Sequence, residues 1–482
     1  MHFIDNIGEL LTQPILNTDT YKTTHHSFAP DELTSSYGYL EARKGGEFDE
    51  VMWFGQQYIM RYYQGQRVTH AMIDETYGEL ADHGIEMDRK PWARIVNRYD
   101  GVAPILISSL PEGVIVPQGT VLSTFQSDDE DLAGIAPYFE ASNMRVSYPT
   151  TIATRSMRWW RLIKRYLDES GDPSTADFKL VDFGARGAHS TESGAIGGMA
   201  HLVNFQVTDN LMGIRFAKHA YPWAGMPGFS IPASEHSVTT AWGVGMEREE
   251  LLCRQALVRF GSKPNPVTGG RNAVSIVNDT TDQDEHIKMW GTTLKELLIN
   301  SHMTLVTRPD SGDPIINVLH VLDLLGKYFG WTVNEKGFRV LPEYVRVIQG
   351  DGINEETLRR IMQRVVYHKW SLDNLNFGSG GGLLVHAAER DTHRFAMKSS
   401  EVIVGGETRA IQKLVKTDPS KASKKGRFAV IREDDKWKTI AEEELEGRYN
   451  YLQPVFRDGK VVNTRSFAEV REMARAARVS AS

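Results

Sequence analysis

The chain is nearly free of cysteine: Cys253 is the only one in 482 residues, so no intramolecular disulfide and no cysteine-rich metal centre is possible. It sits in Leu251-Leu-Cys-Arg-Gln-Ala-Leu257, a helical-looking stretch where a lone thiol reads as a small buried residue. Long apolar runs are missing too. None approaches the roughly 18 residues that span a bilayer, and Met1-His-Phe-Ile-Asp-Asn6 lacks a basic segment followed by an apolar one. A cytoplasmic enzyme with no membrane partner is the simplest class. There is no basic field either: the net charge of −7 argues against a nucleic-acid partner, since such binders carry an excess of Lys and Arg. No internal repeat or low-complexity tract is evident.

What is present is ordinary folded-protein composition, with 41% hydrophobic and 24% charged residues and ten tryptophans. The length exceeds a single hydrophobic core, so two domains are expected, one of them large enough for a barrel of about 250 residues. Four short β-prone apolar runs end in acidic or glycine clusters: Val274-Ser-Ile-Val-Asn-Asp279, Leu305-Val-Thr-Arg-Pro-Asp-Ser-Gly312, Val345-Arg-Val-Ile-Gln-Gly-Asp-Gly352 and Leu375-Asn-Phe-Gly-Ser-Gly-Gly-Gly382. Buried parallel strands read as continuous Val/Ile/Leu runs, and the loops at their C-terminal ends build the active site of an α/β barrel. Asp279, Arg308, Asp310, Asp351 and the glycines should therefore converge on one mouth, suited to a phosphorylated sugar bound with a divalent cation.

Further strands are expected at Phe178–Gly184, Val203–Val207 and Gly228–Pro232, and an amphipathic helix over 154–170. The fold class is thus α/β: an irregular, TIM-like barrel over 151–390, with a second α+β domain built from segments 1–150 and 391–482. Within the first segment, Ser36–Glu41 reads as a strand, Val51–Tyr63 as a helix, and Ile105–Gly119 as a hairpin turning at Pro111-Glu-Gly113. Ser466–Ala477 reads as a closing helix.

Taken in order, six clusters are similar to one family: Asp182-Phe-Gly-Ala-Arg-Gly187, Ala200-His-Leu-Val-Asn-Phe205, Pro232-Ala-Ser-Glu-His236, Arg308-Pro-Asp-Ser-Gly312, Gln349-Gly-Asp-Gly352 and Phe377-Gly-Ser-Gly-Gly-Gly382. The chain resembles the nicotinamide phosphoribosyltransferase family, of the type II phosphoribosyltransferases, from Asn17-Thr-Asp-Thr-Tyr-Lys-Thr-Thr-His25 to Ser423-Lys-Lys-Gly-Arg427. The resemblance implies transfer of a phosphoribosyl group from 5-phosphoribosyl 1-pyrophosphate to nicotinamide, giving nicotinamide mononucleotide and pyrophosphate on the salvage route to NAD. It also implies Mg²⁺, ATP as a co-substrate hydrolysed through a phosphohistidine, and a homodimer in which residues 13–35 reach the partner's active site.

By the same resemblance, nicotinamide lies between the rings of Phe183 and a partner's Tyr21, with Asp19 nearby, and Asp209 accepts from its carboxamide. A carboxylate there would repel nicotinate. Arg186, His236 and Arg308 hold the diphosphate, a task the forked guanidinium donors do well. Pro309 and Asp310 border the ribose, and Asp279, with Ser275 beside it, joins Asp310 in holding Mg²⁺ through water. Gly350, Asp351, Gly380, Gly381 and Gly382 cup the 5′-phosphate, because glycine leaves backbone N–H groups free to form an anion nest. Arg390, Lys398, Lys413, Asp418, Lys421 and Arg427 form a further phosphate and ATP clamp. His236 is the phosphorylated nucleophile, with Glu235 or a neighbouring carboxylate orienting its ring. Ala185 and Ala396 stand where animal members carry tyrosine and serine, and His189 also departs from their pattern. Nicotinate phosphoribosyltransferase is the nearest rival reading, and a non-catalytic nucleotide-binding signalling protein the second.

Overall fold

A computed structural model describes residues 7–222, 225–414 and 422–480. The chain divides into two compact units, one of Met1–Thr154, Ala217–Gly225 and Ala387–Ser482, the other of Arg155–Phe216 and Met226–His386. Among the described residues no helix is long and apolar enough to cross a membrane.

The first unit joins the two ends of the chain in one seven-stranded sheet. Leu33–Ala42, buried along most of its length, pairs antiparallel with Phe395–Val404 on one side and Val121–Ser127 on the other. The expected hairpin does not form. Ile105–Ser109 pairs with Val121–Ser127 and Gln453–Arg457, whereas Ile115–Pro117 pairs with Glu50–Met52. The cause lies at Pro111-Glu-Gly113. Gly113 N–H donates to Trp53 O at 2.8 Å, and the buried Glu112 carboxylate accepts from Gly55 N and Gln57 N at 2.9 and 3.0 Å. These long-range bonds hold the turn against residues 53–57, and they also break the helix expected over Val51–Tyr63. That segment is a strand at Glu50–Met52, then helix from Gln56, with Gly55 at φ 103°, a backbone angle that suits glycine. The closing helix runs Phe467–Ser480, capped reciprocally by Ser466 and Glu469.

In the second unit the expected parallel strands are β1 (Leu180–Asp182), β2 (Asn272–Val277), β3 (Met303–Arg308), β4 (Val345–Gln349) and β5 (Leu375–Ser379). They form one sheet in the order β1-β5-β4-β3-β2, every pair parallel. The strands are buried nearly throughout, which is why each reads as an unbroken apolar run. Helices Pro314–Phe329 and Glu355–Tyr367 connect β3 to β4 and β4 to β5.

The sheet is a parallel half-barrel and does not close into the TIM-like barrel that was expected. Val203–Val207 and Gly228–Pro232 contribute only the isolated bridges Asp182–Thr208, Val207–Phe229 and Ala233–Ser275. Proline explains part of this: Pro227 and Pro232 bracket the second segment and offer no N–H to a ladder. The helix expected over 154–170 is present as Ser147–Ser170.

Candidate active site

The C-terminal ends of β1–β5 open on one cavity of about 860 Å³. A carboxylate–imidazole–carboxylate cluster stands on one side of it. Asp279, two residues past β2, places Oδ1 2.9 Å from His236 Nε2, while Asp310 Oδ2 lies 3.9 Å from Nδ1. Asp310 N–H donates to Asp279 Oδ2 at 3.2 Å, so the β2 and β3 loops lock each other. Burial works to raise the Asp279 pKa, but hydrogen bonds from Ser311 and His236 outweigh it and hold the carboxyl below its ordinary value. A tautomer whose Nε2–H donates to Asp279 leaves the Nδ1 lone pair unspent, and the His236 side chain is 45% exposed. Glu235, the other carboxylate considered for this task, accepts instead from Ser237.

Phe183 follows β1 and lies across the sheet end, packed on the cluster of Val181, Val306 and Ile348. Its seat is made of glycine. A Cβ on Gly378 would come 1.9 Å from the ring, and one on Gly350 3.1 Å. Asp209 opens on the same cavity and accepts from Ser230 Oγ. Protein crowding the carboxyl raises its pKa, partly offset by Ser230 and by the positive charge of Arg308. Behind both lies Asp182, wholly buried, whose carboxyl burial pushes up to about 6 against the bonds it accepts from Gly184, Asn210 and Thr208.

Two guanidiniums face this cavity. Arg186 is exposed and makes no hydrogen bond or ion pair with any described residue. Arg308 has a buried Nε with no hydrogen-bond partner. Unspent donors of this kind fit an anion with several oxygens. Opposite them, the loops after β4 and β5 interlock: Ser379 Oγ donates to Ile353 O at 2.8 Å, and a Cβ on Gly382 would strike that carbonyl at 2.4 Å. Asn354 caps helix Glu355–Tyr367 by accepting from Thr357 N at 3.0 Å, so the positive end of a 13-residue helix faces the cavity beside Asp351.

Of the residues singled out from sequence, Phe183, Arg186, Asp209, His236, Arg308 and Asp310 line this cavity, as do Gly350, Asp351 and Gly380–Gly382. Asp279 stands behind His236, and Pro309 is buried between Arg308 and Asp310. Ser275 is buried in β2 with an unpartnered Oγ. Asp19, Tyr21, Arg390, Lys398, Lys413 and Arg427 belong to the first unit, while Asp418 and Lys421 lie outside the described residues. In that unit Lys398 donates to Met397 O, burial lowering its pKa, and Arg427 bonds Glu442 and Gln126, both at 2.8 Å. Sequence reading overlooked Asp182, Asn210, Ser230 and Gly378. Gly378 had a signal in its place in the glycine-rich run after an apolar strand, and Asp182 in its place at the head of the first strand-end cluster, but neither was given a role of its own.

No described group of three or more His, Cys, Asp or Glu side chains is arranged to hold a metal. Both Asp279 oxygens are already engaged and the side chain is 7% exposed, whereas Asp310 is 31% exposed. This donor set fits a magnesium ion held chiefly by substrate phosphates and water, with Asp310 the carboxylate open to it.

The nicotinate phosphoribosyltransferase (NAPRTase) family model matches residues 178–460, and the nicotinamide phosphoribosyltransferase N-terminal domain model matches residues 13–107. The chain belongs to the nicotinate phosphoribosyltransferase family. Within that family it is 42% identical over 436 residues to the nicotinamide phosphoribosyltransferase of Xanthomonas campestris pv. campestris (strain 8004), covering 90% of this chain and 89% of the relative. Two solved structures share the phosphoribosyltransferase fold. The nicotinate-nucleotide pyrophosphorylase of Pyrococcus furiosus matches with a TM-score of 0.61 at 15% identity, over 99% of this chain and 96% of that one. Human nicotinic acid phosphoribosyltransferase matches with 0.56 at 17% identity, over 95% and 93%. The resemblance carried by the six motifs is therefore borne out.

Proposed function

We propose that the chain is a nicotinamide phosphoribosyltransferase: the pyridine nitrogen attacks C1 of 5-phosphoribosyl 1-pyrophosphate, the C1–oxygen bond to pyrophosphate breaks, and nicotinamide mononucleotide and pyrophosphate leave. The product feeds NAD salvage. The observation that carries this reading is the meeting of Phe183 and Asp209 with Arg186 and Arg308 in one cavity. An aromatic face and a carboxylate acceptor suit a flat ring bearing a carboxamide, and the guanidiniums suit the leaving diphosphate. Asp310 would stabilise positive charge that builds on the ribose as the bond to pyrophosphate lengthens. The glycine loops and the Glu355–Tyr367 helix end would hold the 5′-phosphate. Magnesium, when bound, would offset negative charge on the diphosphate.

ATP enters the same reading through His236. Its Nδ1 lone pair can attack the γ-phosphorus of ATP; the bond from that phosphorus to the β–γ bridging oxygen breaks, and ADP leaves while Asp279 holds the Nε2 proton. Lys398, Lys413, Lys421, Arg390 and Arg427 would clamp the phosphates, with Asp418 beside them. Arg427 is the weakest of these, since Glu442 and Gln126 already engage it. A homodimer supplies Tyr21 and Asp19 from the partner. Tyr21 at 56% and Phe28 at 85% exposure support such a partner surface. A cytoplasmic location fits these substrates.

The test is to incubate the protein with the sugar pyrophosphate and Mg²⁺, offer nicotinamide or nicotinate with and without ATP, and identify the mononucleotide. Nicotinamide mononucleotide with one pyrophosphate each is expected, faster with ATP. Nicotinate mononucleotide as the main product would reject the reading.

A further inference from the structure

Asp182 has no part in the bond changes just described, yet its side chain ties together the two loops that carry the base pocket. Oδ1 accepts from Gly184 N at 2.7 Å, the residue directly after Phe183. Oδ2 accepts from Asn210 Nδ2 at 3.1 Å and Thr208 Oγ1 at 3.4 Å, the two neighbours of Asp209. The backbone repeats the link: Asp209 N–H donates to Asp182 O at 3.0 Å, beside the parallel bridge from Asp182 to Thr208. The far side of the link is anchored as well. Asn210 Nδ2 also donates to Gly194 O at 2.8 Å, and its Oδ1 accepts from Gly213 N at 3.1 Å.

The arrangement leaves no slack. The side chain is 0% exposed. A Cβ built on Gly198 would stand 2.6 Å from Asn210 Nδ2 and 3.0 Å from Asp182 Oδ2, so helix backbone walls the pair in. Every partner of the two oxygens is a donor, and only an ionised carboxylate accepts at both ends. An amide at this position would have to point its NH₂ at Gly184 N–H or at the Asn210 NH₂, and one tie would be lost.

We propose that Asp182 is a positioning residue for base recognition, fixing the Phe183 ring and the Asp209 carboxylate relative to each other from behind the pocket. The inference rests on the reading of Phe183 and Asp209 as the base pocket. A carboxylate that served the fold alone would affect both substrates equally. One that positions the pocket affects the base.

The experiment measures KM for nicotinamide and for the sugar pyrophosphate, and the nicotinamide-to-nicotinate ratio of kcat/KM, in Asp182→Asn and the milder Thr208→Val. Phe183→Ala and Asp209→Ser serve as references. For Asp182→Asn we expect KM for nicotinamide to rise about 10- to 100-fold, with KM for the sugar pyrophosphate within about threefold and the base preference reduced. Thr208→Val should move the same quantities by about threefold, and it decides the matter if Asp182→Asn does not fold. Equal rises in both KM values, or an unchanged base preference, would overturn the inference. If Phe183→Ala and Asp209→Ser leave the nicotinamide KM alone, the pocket reading fails and takes the inference with it. If they raise it while Asp182→Asn and Thr208→Val do not, the inference alone falls.

Discussion

Replacing Gly378 with alanine would place a methyl group 1.9, 2.3 and 2.7 Å from three atoms of the Phe183 ring. Ordinary contact begins near 3.4 Å, so the ring must retreat by 3.4 − 1.9, or about 1.5 Å, because the β5 backbone beneath it is fixed in the sheet. Overpacking of this kind costs about 1–3 kcal/mol of stability. Moving the platform under a reacting ring by about 1 Å or more costs on the order of 100-fold in rate, which is about 2.7 kcal/mol of transition-state stabilisation. We therefore expect kcat/KM for nicotinamide in Gly378→Ala to fall by about 100-fold, with KM for the sugar pyrophosphate within about threefold. Gly350→Ala gives the control for magnitude. Its nearest ring atoms would be 3.1 and 3.4 Å away, a shift of a few tenths of an ångström, so the loss should stay under about tenfold. Initial rates with each substrate varied in turn, beside thermal unfolding of each variant, separate the two effects. Equal losses in the two variants, or an unaltered nicotinamide kcat/KM in a folded Gly378→Ala, would refute the placement of Phe183 under the base.

Three further outcomes follow from the site. His236→Ala should abolish stimulation by ATP while leaving slower ATP-independent synthesis, read as product formed with and without ATP; full coupling in this variant would exclude the phosphohistidine. Because the Asp209 pKa is raised, its neutral form appears at higher pH than for an ordinary carboxyl, and discrimination against nicotinate should weaken as pH falls. Relative kcat/KM for the two bases, followed downward from pH 8 to pH 5 or so, checks this. Burial raises the Asp182 pKa from an ordinary 3.8 to about 6 and outweighs its three donors, so a desolvation cost that is absent below the unfolded value appears as pH rises through about 6 and the carboxyl ionises. The stability of the parent relative to Asp182→Asn should thus decline by about 2 kcal/mol between pH 4 and pH 7, as denaturant unfolding would report.

The parallel sheet was legible because each strand is buried on both faces and reads as an apolar run, and strand ends carry the polar groups of the site. Asp279, Arg308, Asp310 and Asp351 were found in this way. The Pro111-Glu-Gly113 hairpin was misread because a local turn signal competed with bonds to residues 53–57 that no short window contains. Val203–Val207 and Gly228–Pro232 have β-prone residues, but only isolated bridges form there, so barrel closure could not be read from propensity. The roles of Asp182 and Gly378 were hidden for a related reason. Asp182 meets Asn210 at a separation of 28 residues, and Gly378 matters only because the Phe183 ring lies on it. Both residues stand in strand-end clusters that the sequence shows, but their roles depend on partners brought together only by the folded loops.

The central claim is that this cavity selects nicotinamide and joins it to a phosphoribosyl group, with Asp209 as the discriminating group. The most direct test is the ratio of kcat/KM for nicotinamide to that for nicotinate, measured in the parent chain and in Asp209→Ser. The account predicts a ratio well above one in the parent that drops by at least about tenfold in the variant. The same ratio in both proteins, or a parent that prefers nicotinate, would contradict it.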